Sequence, residues 1–416
     1  MSMPSTPPPS SFASRLAGLA ERHEALLARP NEVNDAWYSG CMNRYRFPVL
    51  TRDHTPLIWR YDLDEATNPY LMERMGVNSV FNPGTILIDD MVYLVCRVEG
   101  TDRKSFFAVA ESSTGIDGFR FWARPLDIPP ADEPETNLYD MRLVRHEDGW
   151  IYGLFAVECH DPSSTDPSAA VSQCGIARTR DLRSWERLPN LKSHAPQQRN
   201  VVLHPQFVDG CYGFYTRPQD GFVTLGRHVG IGWGTCADIR TPVLEDEFTI
   251  ESVKYHTIKE LKNGVGPVPI RTDQGWLHIA HGVRATVAGL RYVLYAFLCD
   301  LERPYVVTYR PGGYLMAPWD NERVGDVSNV LFCNGAVVRP NGSLLVYYAS
   351  SDTRIHVAST TIDRMLDFVL NTPADGGTTS ASVRERLRLI DRNVERASET
   401  GSPLLGRLVS HVRNTG

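Results

Sequence analysis

The sequence lacks several features that would point directly to a function. It contains no run of about 18 apolar residues, which excludes a membrane-spanning helix. Its eight cysteines show no Cys-x-x-Cys spacing, so neither a zinc site nor a disulfide framework is indicated, and we expect buried thiols in a reducing cytosol. It has no excess of positive charge: 43 basic and 49 acidic residues give a formal charge of −6, which argues against binding to nucleic acid or to an anionic membrane.

The N-terminal segment also lacks the features of a secretory signal. Residues 1–11 are rich in proline and serine, with neither a positively charged start nor an apolar core. We therefore expect a disordered leader and a cytoplasmic protein. The composition as a whole, 42% hydrophobic and 22% charged, is typical of a globular protein.

A repeated hairpin pattern organises the chain. Two runs of apolar residues separated by a short turn, such as Asp148-Gly149 or Asn341-Gly342, occur five times. The turns end at positions 90, 149, 210, 275 and 342, so the steps between them are 59, 61, 65 and 67 residues. Strand-like runs between the hairpins bring each interval to about four strands. This period predicts an all-β fold, a five-bladed β-propeller, whereas a two-sheet sandwich would not require a fixed step.

Helical spacing appears only outside the repeats. The segment from Phe12 to Ala28 is amphipathic, and helical patterns return after Ser359. We expect four parts: a leader (1–11), an N-terminal helix with a site-shaping loop (12–75), a propeller catalytic domain (76–360) and a helical extension (361–416). Helices that pack outside a propeller favour assembly, so we expect a homo-oligomer.

Asp140 is the candidate catalytic residue. It lies in the stretch Asn137-Leu138-Tyr139-Asp140-Met141-Arg142, beside an aromatic ring and at the start of a strand-like run. A carboxyl group that a ring and a bound sugar shield from water favours its neutral form and can hold a proton near neutrality. The alternative is structural, with Asp140 capping a turn and pairing with Arg142.

Polar residues near the ends of the predicted hairpin strands should converge on the propeller axis. Before the turns these residues are Asn82, Asp140, Arg199, Gly266 and Asn334, and after the turns they are Arg97, Glu158, Arg217, His281 and Asp352. Exposure of strand ends to water does not explain three arginines embedded in or beside apolar runs. The pattern therefore favours a functional site.

The candidate site has two chemical halves. Carboxylates and amides suit sugar hydroxyls, and this half comprises Asp140, Asn82, Tyr139, Arg97 and Asp352. The other half is a cluster of cationic groups, Arg199, Arg217, Lys262 and His281, and arginine fits phosphate oxygens bidentately. No phosphate-binding P-loop is present, and Gly264-Val265-Gly266 indicates a close approach of the backbone to the axis. A polyol site beside an anion site, with one acid, points to glycosyl transfer to phosphate.

Over about residues 45–357 the chain resembles glycoside hydrolase family 130, whose members are five-bladed propellers and include inverting β-mannoside phosphorylases. The resemblance is carried by long motifs, which include residues 55–63, 68–74, Arg97-Val98-Glu99-Gly100, 102–112, Tyr139-Asp140-Met141-Arg142 and 146–150. The Tyr-Asp-Met-Arg context is similar to the branch that phosphorolyses 4-O-β-D-mannosyl-D-glucose.

This resemblance implies an enzyme that converts the disaccharide and phosphate to α-D-mannose 1-phosphate and D-glucose. It implies that Asp140 is the general acid, acting through the 3-hydroxyl of the mannosyl unit. It also implies that phosphate is bound by Arg199, Arg217, Lys262 and Tyr292. The mannosyl unit would be bound by Asn82, Arg97 and Asp352. Inorganic phosphate is then a co-substrate, and we expect no metal or other cofactor.

Three other interpretations stay open. One is a hydrolytic β-mannosidase on the same scaffold, for which Glu158 is the first candidate second carboxylate because an inverting hydrolase needs a base for water. Another is a phosphorylase that acts on a different β-mannoside. The third is a sugar-binding propeller without catalytic activity. The loop from Trp59 to Arg74 is the candidate for contacting the reducing-end sugar.

Overall fold

The computed structural model describes residues 11–131, 134–221 and 230–413, so residues 1–10 of the expected leader lie outside the described residues. In this structure the described strands form the predicted five-bladed β-propeller, with its blades numbered I to V in chain order. Each hairpin expected from the sequence is an antiparallel pair at the inner side of its blade. The strands of each blade are given from the innermost outwards. Blade I comprises Val77–Ile88, Met91–Gly100, Ser105–Ser112 and Arg120–Phe121, and blade II comprises Asn137–Arg145, Ile151–His160, Ala170–Thr179 and Trp185–Leu191. Blade III comprises Val202–Val208, Cys211–Thr216, Gly230–Cys236 and Glu247–Ser252. Blade IV comprises Lys262–Val265 with Ile270–Arg271, then Trp276–Thr286, Gly289–Cys299 and Val307–Tyr309, and blade V comprises Leu331–Val338, Ser343–Ser350, Arg354–Thr361 and Asn43–Arg44.

Blade V is closed by the N-terminal part of the chain. The strand Asn43–Arg44 pairs with Arg354–Thr361, with Arg44 opposite Ala358. A second contact lies beside it, where Arg44 makes a buried ion pair with Glu322 and stacks over the ring of Trp37. The first and last parts of the propeller are therefore joined within one sheet, a connection that the sequence pattern did not reveal.

Apolar side chains fill the interfaces between neighbouring blades. Met141 and Leu143 of blade II, for example, pack against Ile86 and Phe107 of blade I, and comparable clusters lie at the other blade interfaces. The inner strands of the blades are mostly buried, so their sequences form apolar runs that polar groups interrupt near the axis. Burial on this scale supplies most of the favourable free energy of folding.

The turns use residues that tolerate a left-handed backbone. Asp89 and Asp90 have φ angles of 48° and 62°, and Asp209 is followed by Gly210 in the same conformation. This geometry belongs to two-residue hairpins whose twist matches that of the strands. The turns lie at the rim opposite the candidate site, and they fix the register of each inner pair.

Helices flank the propeller at both ends, as expected from the sequence. Their bounds are Phe12–Leu27, Leu57–Arg60, Ile362–Asn371, Thr379–Thr400 and Pro403–Arg413, with 3-10 turns at Arg52–His54 and Asp320–Arg323. Met365 and Val369 pack into the interface between blades IV and V. Within the described residues, no helix is both long enough and apolar enough to span a membrane.

Candidate active site

A cavity of about 210 Å³ opens near the propeller axis. Its lining is contributed by blades I to V and by the segment that leads into blade V. The lining residues are Asn82, Arg97, Tyr139, Asp140, Arg199, Asn200, Arg217, Lys262, Leu290, Tyr292, Val327, Val330, Phe332 and Asp352. Every residue assigned from the sequence to the sugar-binding or phosphate-binding half lines this cavity except His281. Of the other strand-end residues expected at the axis, Glu158, Gly266 and Asn334 do not line it.

His281 lies behind the cavity wall. It is fully buried, and its ring packs against Phe332 and stacks with Tyr292 at centroid distances of 4.6 and 6.0 Å. Burial, followed by the charge of Arg217, lowers the pKa of His281 well below its usual value, so the ring is neutral. Its place in the structure supports packing against Tyr292 rather than direct contact with an anion.

A backbone irregularity recurs at the inner strand of several blades. Asn82, Asp140 and Asn200 have φ angles of 45°, 59° and 54°, in the left-handed region that asparagine and aspartate tolerate best among non-glycine residues. The strand register shifts at Asn82 and Asp140, as it does at a β-bulge. Because a bulge redirects a side chain that would otherwise alternate along the strand, it presents these polar groups to the cavity.

Asp140 is held by contacts to one of its two oxygens. Asn82 Nδ2 donates to Asp140 Oδ1 across 2.9 Å, and Arg97 Nη1 donates to the same oxygen across 3.4 Å. The carboxyl group is buried, with only 7% of the residue exposed. Oδ2 is therefore the oxygen that these contacts leave for a substrate.

Arg142 supports the backbone of Asp140 rather than its carboxylate. Its Nη1 donates to the main-chain oxygen of Asp140 at 3.1 Å, and its other nitrogens reach Gly266 O at 3.0 Å and Asn200 Oδ1 at 3.1 Å. The ion pair between Asp140 and Arg142, considered above as the structural alternative, is not the one that forms. Arg142 instead ties blade II to blades III and IV, and burial lowers its pKa to about 10.

The sugar-binding half is organised around Arg97. Its guanidinium lies over the rings of Phe81 and Tyr139, at 4.3 and 4.6 Å, and pairs with Glu99 at 2.8 Å. Asp352, with a φ angle of 52°, lies in the same electrostatic neighbourhood. Burial, and then the charge of Asp140, raises the pKa of Asp352 to about 7. This side of the cavity thus offers carboxyl, amide and guanidinium groups suited to hydroxyl groups.

The opposite half is cationic. Burial, followed by the charges of Arg217 and Arg199, lowers the pKa of Lys262 to about 8. Burial likewise lowers the pKa of Arg217 to about 10. Among the described residues, neither Arg217 nor Lys262 has a carboxylate within ion-pair distance. Like charges held together out of water are costly unless an anion binds between them, so this half has the electrostatics of an anion site.

Glu158 connects the two halves without lining the cavity. It accepts a hydrogen bond of 2.5 Å from the hydroxyl of Tyr139, and it lies 3.7 Å from Nη2 of Arg199. Its carboxylate is therefore engaged with protein groups rather than directed at the cavity.

One polar residue that lines the cavity, Asn200, was not singled out from the sequence. Its spacing of 60 residues from Asp140 resembles the 58 residues between Asn82 and Asp140, a signal that was present. Gly266 was expected to allow close packing, and a Cβ there would lie 2.5 Å from Cys333 O. Its carbonyl also accepts from Arg142, which no pattern in the sequence indicates.

Comparison with known proteins identifies the family. The family model described as beta-1,4-mannooligosaccharide phosphorylase, glycoside hydrolase family 130, matches residues 50–371. The chain belongs to glycoside hydrolase family 130. Two relatives are named as phosphorylases. A 4-O-beta-D-mannosyl-D-glucose phosphorylase of Bacteroides fragilis is 56% identical, over 92% of this chain and 99% of the relative's length. A beta-1,4-mannooligosaccharide phosphorylase of Ruminococcus albus is 33% identical, over 76% of this chain and 92% of the relative's length.

A solved phosphorylase structure has the same fold. A beta-1,2-mannobiose phosphorylase of Listeria innocua superposes with a TM-score of 0.63 at 19% identity, covering 82% of this chain and all of that one. At this identity the likeness concerns architecture. It agrees with the five blades found here.

Proposed function

We propose that this enzyme phosphorolyses 4-O-β-D-mannosyl-D-glucose, giving α-D-mannose 1-phosphate and D-glucose in a reversible reaction. The observation that carries the proposal is the division of one cavity into an acid half at Asp140 and a cationic half at Arg199, Arg217 and Lys262. The 56% identity to the Bacteroides fragilis phosphorylase supports the choice of disaccharide. Other β-mannosides are the alternative substrates within the same chemistry.

The proposed step is a single displacement with inversion. A phosphate oxygen forms the bond to C1 of the mannosyl unit while the bond from C1 to the glucose oxygen breaks. The proton carried by Asp140 passes to that leaving oxygen through the 3-hydroxyl of the mannosyl unit, and the remaining P–OH proton of the product can restore the acid. An inverting hydrolase needs a second carboxylate to activate water, whereas phosphate is already a nucleophile and needs only to be positioned.

The roles of the lining residues follow from this direction of attack. Asn82, Arg97, Tyr139 and Asp352 lie on the side of Asp140 and would hold the mannosyl hydroxyls. Arg199, Arg217, Lys262 and Tyr292 would hold the phosphate on the other side, where the hydroxyl of Tyr292 can donate because burial raises its pKa to about 12. Phosphate bound through bidentate contacts to two arginines would also offset the repulsion between the positive charges of this cluster.

A hydrolase on the same scaffold is the second candidate, and one observation favours it. Asp352 lines the cavity with a pKa of about 7, a suitable value for a general base. However, Arg97 lies near both Asp352 and Asp140. Asp352 is therefore on the same side of the cavity as the acid, whereas the base of an inverting hydrolase lies on the opposite side. Among the described residues that line the cavity, this leaves no carboxylate on the side from which water would attack, which supports phosphate as the nucleophile.

One incubation separates these reactions. The protein is incubated with 4-O-β-D-mannosyl-D-glucose with and without inorganic phosphate, and the mannosyl product is identified. Mannose 1-phosphate formed only with phosphate is the expected result. Free mannose released equally in both mixtures would replace the phosphorylase by a hydrolase, and binding without turnover would indicate a sugar-binding propeller.

We also infer a cytoplasmic homo-oligomer. Cys96, Cys299 and Cys333 are buried thiols within the blades, which suits a reducing compartment. The helix Thr379–Thr400 has no buried residue and exposes Val383, Leu387 and Ile390, an apolar face that a second copy of the chain could cover. Sedimentation of the full chain beside a chain ending at residue 377 tests the oligomer.

A further inference from the structure

A short ribbon connects the two arginines of the cationic half. Residues Gln197–Gln198 and Pro218–Gln219 form an antiparallel pair, with Gln198 opposite Pro218. Arg199 follows one strand of this ribbon, and Arg217 precedes the other. Continuing the register by one residue places Arg199 opposite Arg217, so the ribbon sets the separation of the two arginine backbones.

The ribbon is anchored at both sides. Gln197 Oε1 accepts from the main-chain nitrogen of Ser172 in blade II at 3.1 Å. Gln198 Nε2 donates to Glu247 Oε1 in the outer strand of blade III at 2.8 Å. The glutamine side chains of the ribbon are almost completely buried, at 7% exposed for Gln197 and 3% for both Gln198 and Gln219.

Gln219 holds the guanidinium of Arg217. Arg217 Nη2 donates to Gln219 Oε1 across 2.8 Å, and both residues are buried. Within the described part of the chain, Arg217 Nε has no hydrogen-bond partner. A buried arginine usually pairs with a carboxylate, but here its partner is a neutral amide. An amide oxygen fixes the direction of the guanidinium and leaves its positive charge uncompensated.

We propose that Gln219 is a positioning residue for phosphate: it orients Arg217 through a neutral hydrogen bond, so that the full charge of Arg217 acts on the nucleophile. The inference rests on the proposed function, because it assigns phosphate to the cationic half. A glutamate at this position would make the same contact but neutralise Arg217 and repel an incoming anion. The choice of amide over carboxylate is therefore a determinant of phosphate affinity.

The test compares Gln219→Glu and Gln219→Ala with the unaltered enzyme. Loss of a hydrogen bond to a charged group corresponds to about tenfold in affinity, so Gln219→Ala should raise the KM for phosphate by about that factor. Gln219→Glu is nearly isosteric and should raise it further, while the KM for the disaccharide stays within about twofold in both variants. The Tm increase produced by inorganic phosphate should shrink in the same order.

Matched variants separate positioning from a general role in stability. Gln206→Ala changes an exposed glutamine of the same blade and should leave both KM values unchanged. Gln219→Asn keeps a neutral amide and should raise the KM for phosphate less than Gln219→Glu does. Equal changes in both KM values, or an unchanged phosphate KM in Gln219→Glu, would overturn the proposal. If the unaltered enzyme needs no phosphate, the proposed function itself is wrong, and the two failures are thus distinguishable.

Discussion

Asn82 of blade I donates a hydrogen bond of 2.9 Å to Asp140 of blade II. Both residues occupy β-bulges with left-handed backbone angles, so the contact joins two irregular positions of neighbouring inner strands. Asn334 Nδ2 reaches the main-chain oxygen of Asn82 at 3.4 Å and extends this chain of contacts to blade V. The position of the acid thus depends on three blades.

Replacing the acid should separate catalysis from binding. We expect Asp140→Asn to lower kcat by at least about a thousandfold, because general acid catalysis of this kind contributes up to about 10⁴-fold. The dissociation constant of the disaccharide, measured by calorimetry, should change by less than about fivefold. Asp90→Asn alters an exposed turn aspartate that also has a positive φ angle, and it should leave kcat unchanged. Full activity of Asp140→Asn would remove Asp140 from the catalytic role.

Loss of the hydrogen bond from Asn82 to Asp140 should affect the reaction rate more than the stability of the fold. In Asn82→Gly the amide is lost but the backbone angle of 45° remains accessible, since glycine adopts it without strain. We expect kcat/KM for the disaccharide to fall by about tenfold, the usual effect of losing a hydrogen bond to a charged group. A Tm within a few degrees of that of the unaltered enzyme serves as the control. No change in kcat/KM would mean that Arg97 alone suffices to hold Asp140.

The number of blades and most of the cavity lining could be predicted because both depend on a regular spacing. Turns recur at nearly constant steps, and residues at fixed distances from a turn meet at the axis. Beside blade III the lining extends one residue beyond the predicted Arg199, because Asn200 also lines the cavity. His281 lies on the side of the strand that packs against Phe332, which spacing alone does not distinguish from the cavity side.

Other elements were missed for identifiable physical reasons. The strand Asn43–Arg44 is too short to show a period of two. The strand Gly230–Cys236 was missed because every second residue from 230 to 234 is glycine, which is rare in strands. A Cβ at Gly213 would lie 2.4 Å from the ring of Trp233, so close packing within the blade, rather than strand propensity, requires glycine.

The anion site can be tested through one arginine. We expect Arg217→Ala to raise the KM for phosphate by at least about thirtyfold and the KM for the disaccharide by less than about threefold, because a buried charge-assisted contact is lost on one side only. Arg217→Lys keeps a charge but not the fork, so its effect should be intermediate. Arg240→Ala, an exposed arginine near the same blade, is the control. Equal effects of Arg217→Ala on both substrates would contradict a phosphate contact.

Closure of the propeller should be visible in stability. Arg44 and Glu322 form a buried ion pair, and removing one partner of such a pair costs about 3–5 kcal/mol. We therefore expect Arg44→Ala to lower the free energy of unfolding in urea by about that amount. Arg46 and Glu32 form an exposed pair two residues further along, where Arg46→Ala should cost less than about 1 kcal/mol. Similar losses in both variants would show that the Arg44 pair contributes little to closure.

The pH dependence of phosphate binding should report on Lys262. Burial and the neighbouring arginines lower its pKa to about 8, so in the free enzyme its protonated form declines as the pH rises from 7 to 9. Phosphate binds the protonated form, and we therefore expect the KM for phosphate to rise through this range while kcat at saturating phosphate changes less. In Lys262→Arg the side chain stays charged, so the rise should be largely abolished. The ionisation of phosphate itself is the same for both enzymes and cancels in the comparison. Parallel pH profiles for the two enzymes would exclude Lys262 as the titrating group.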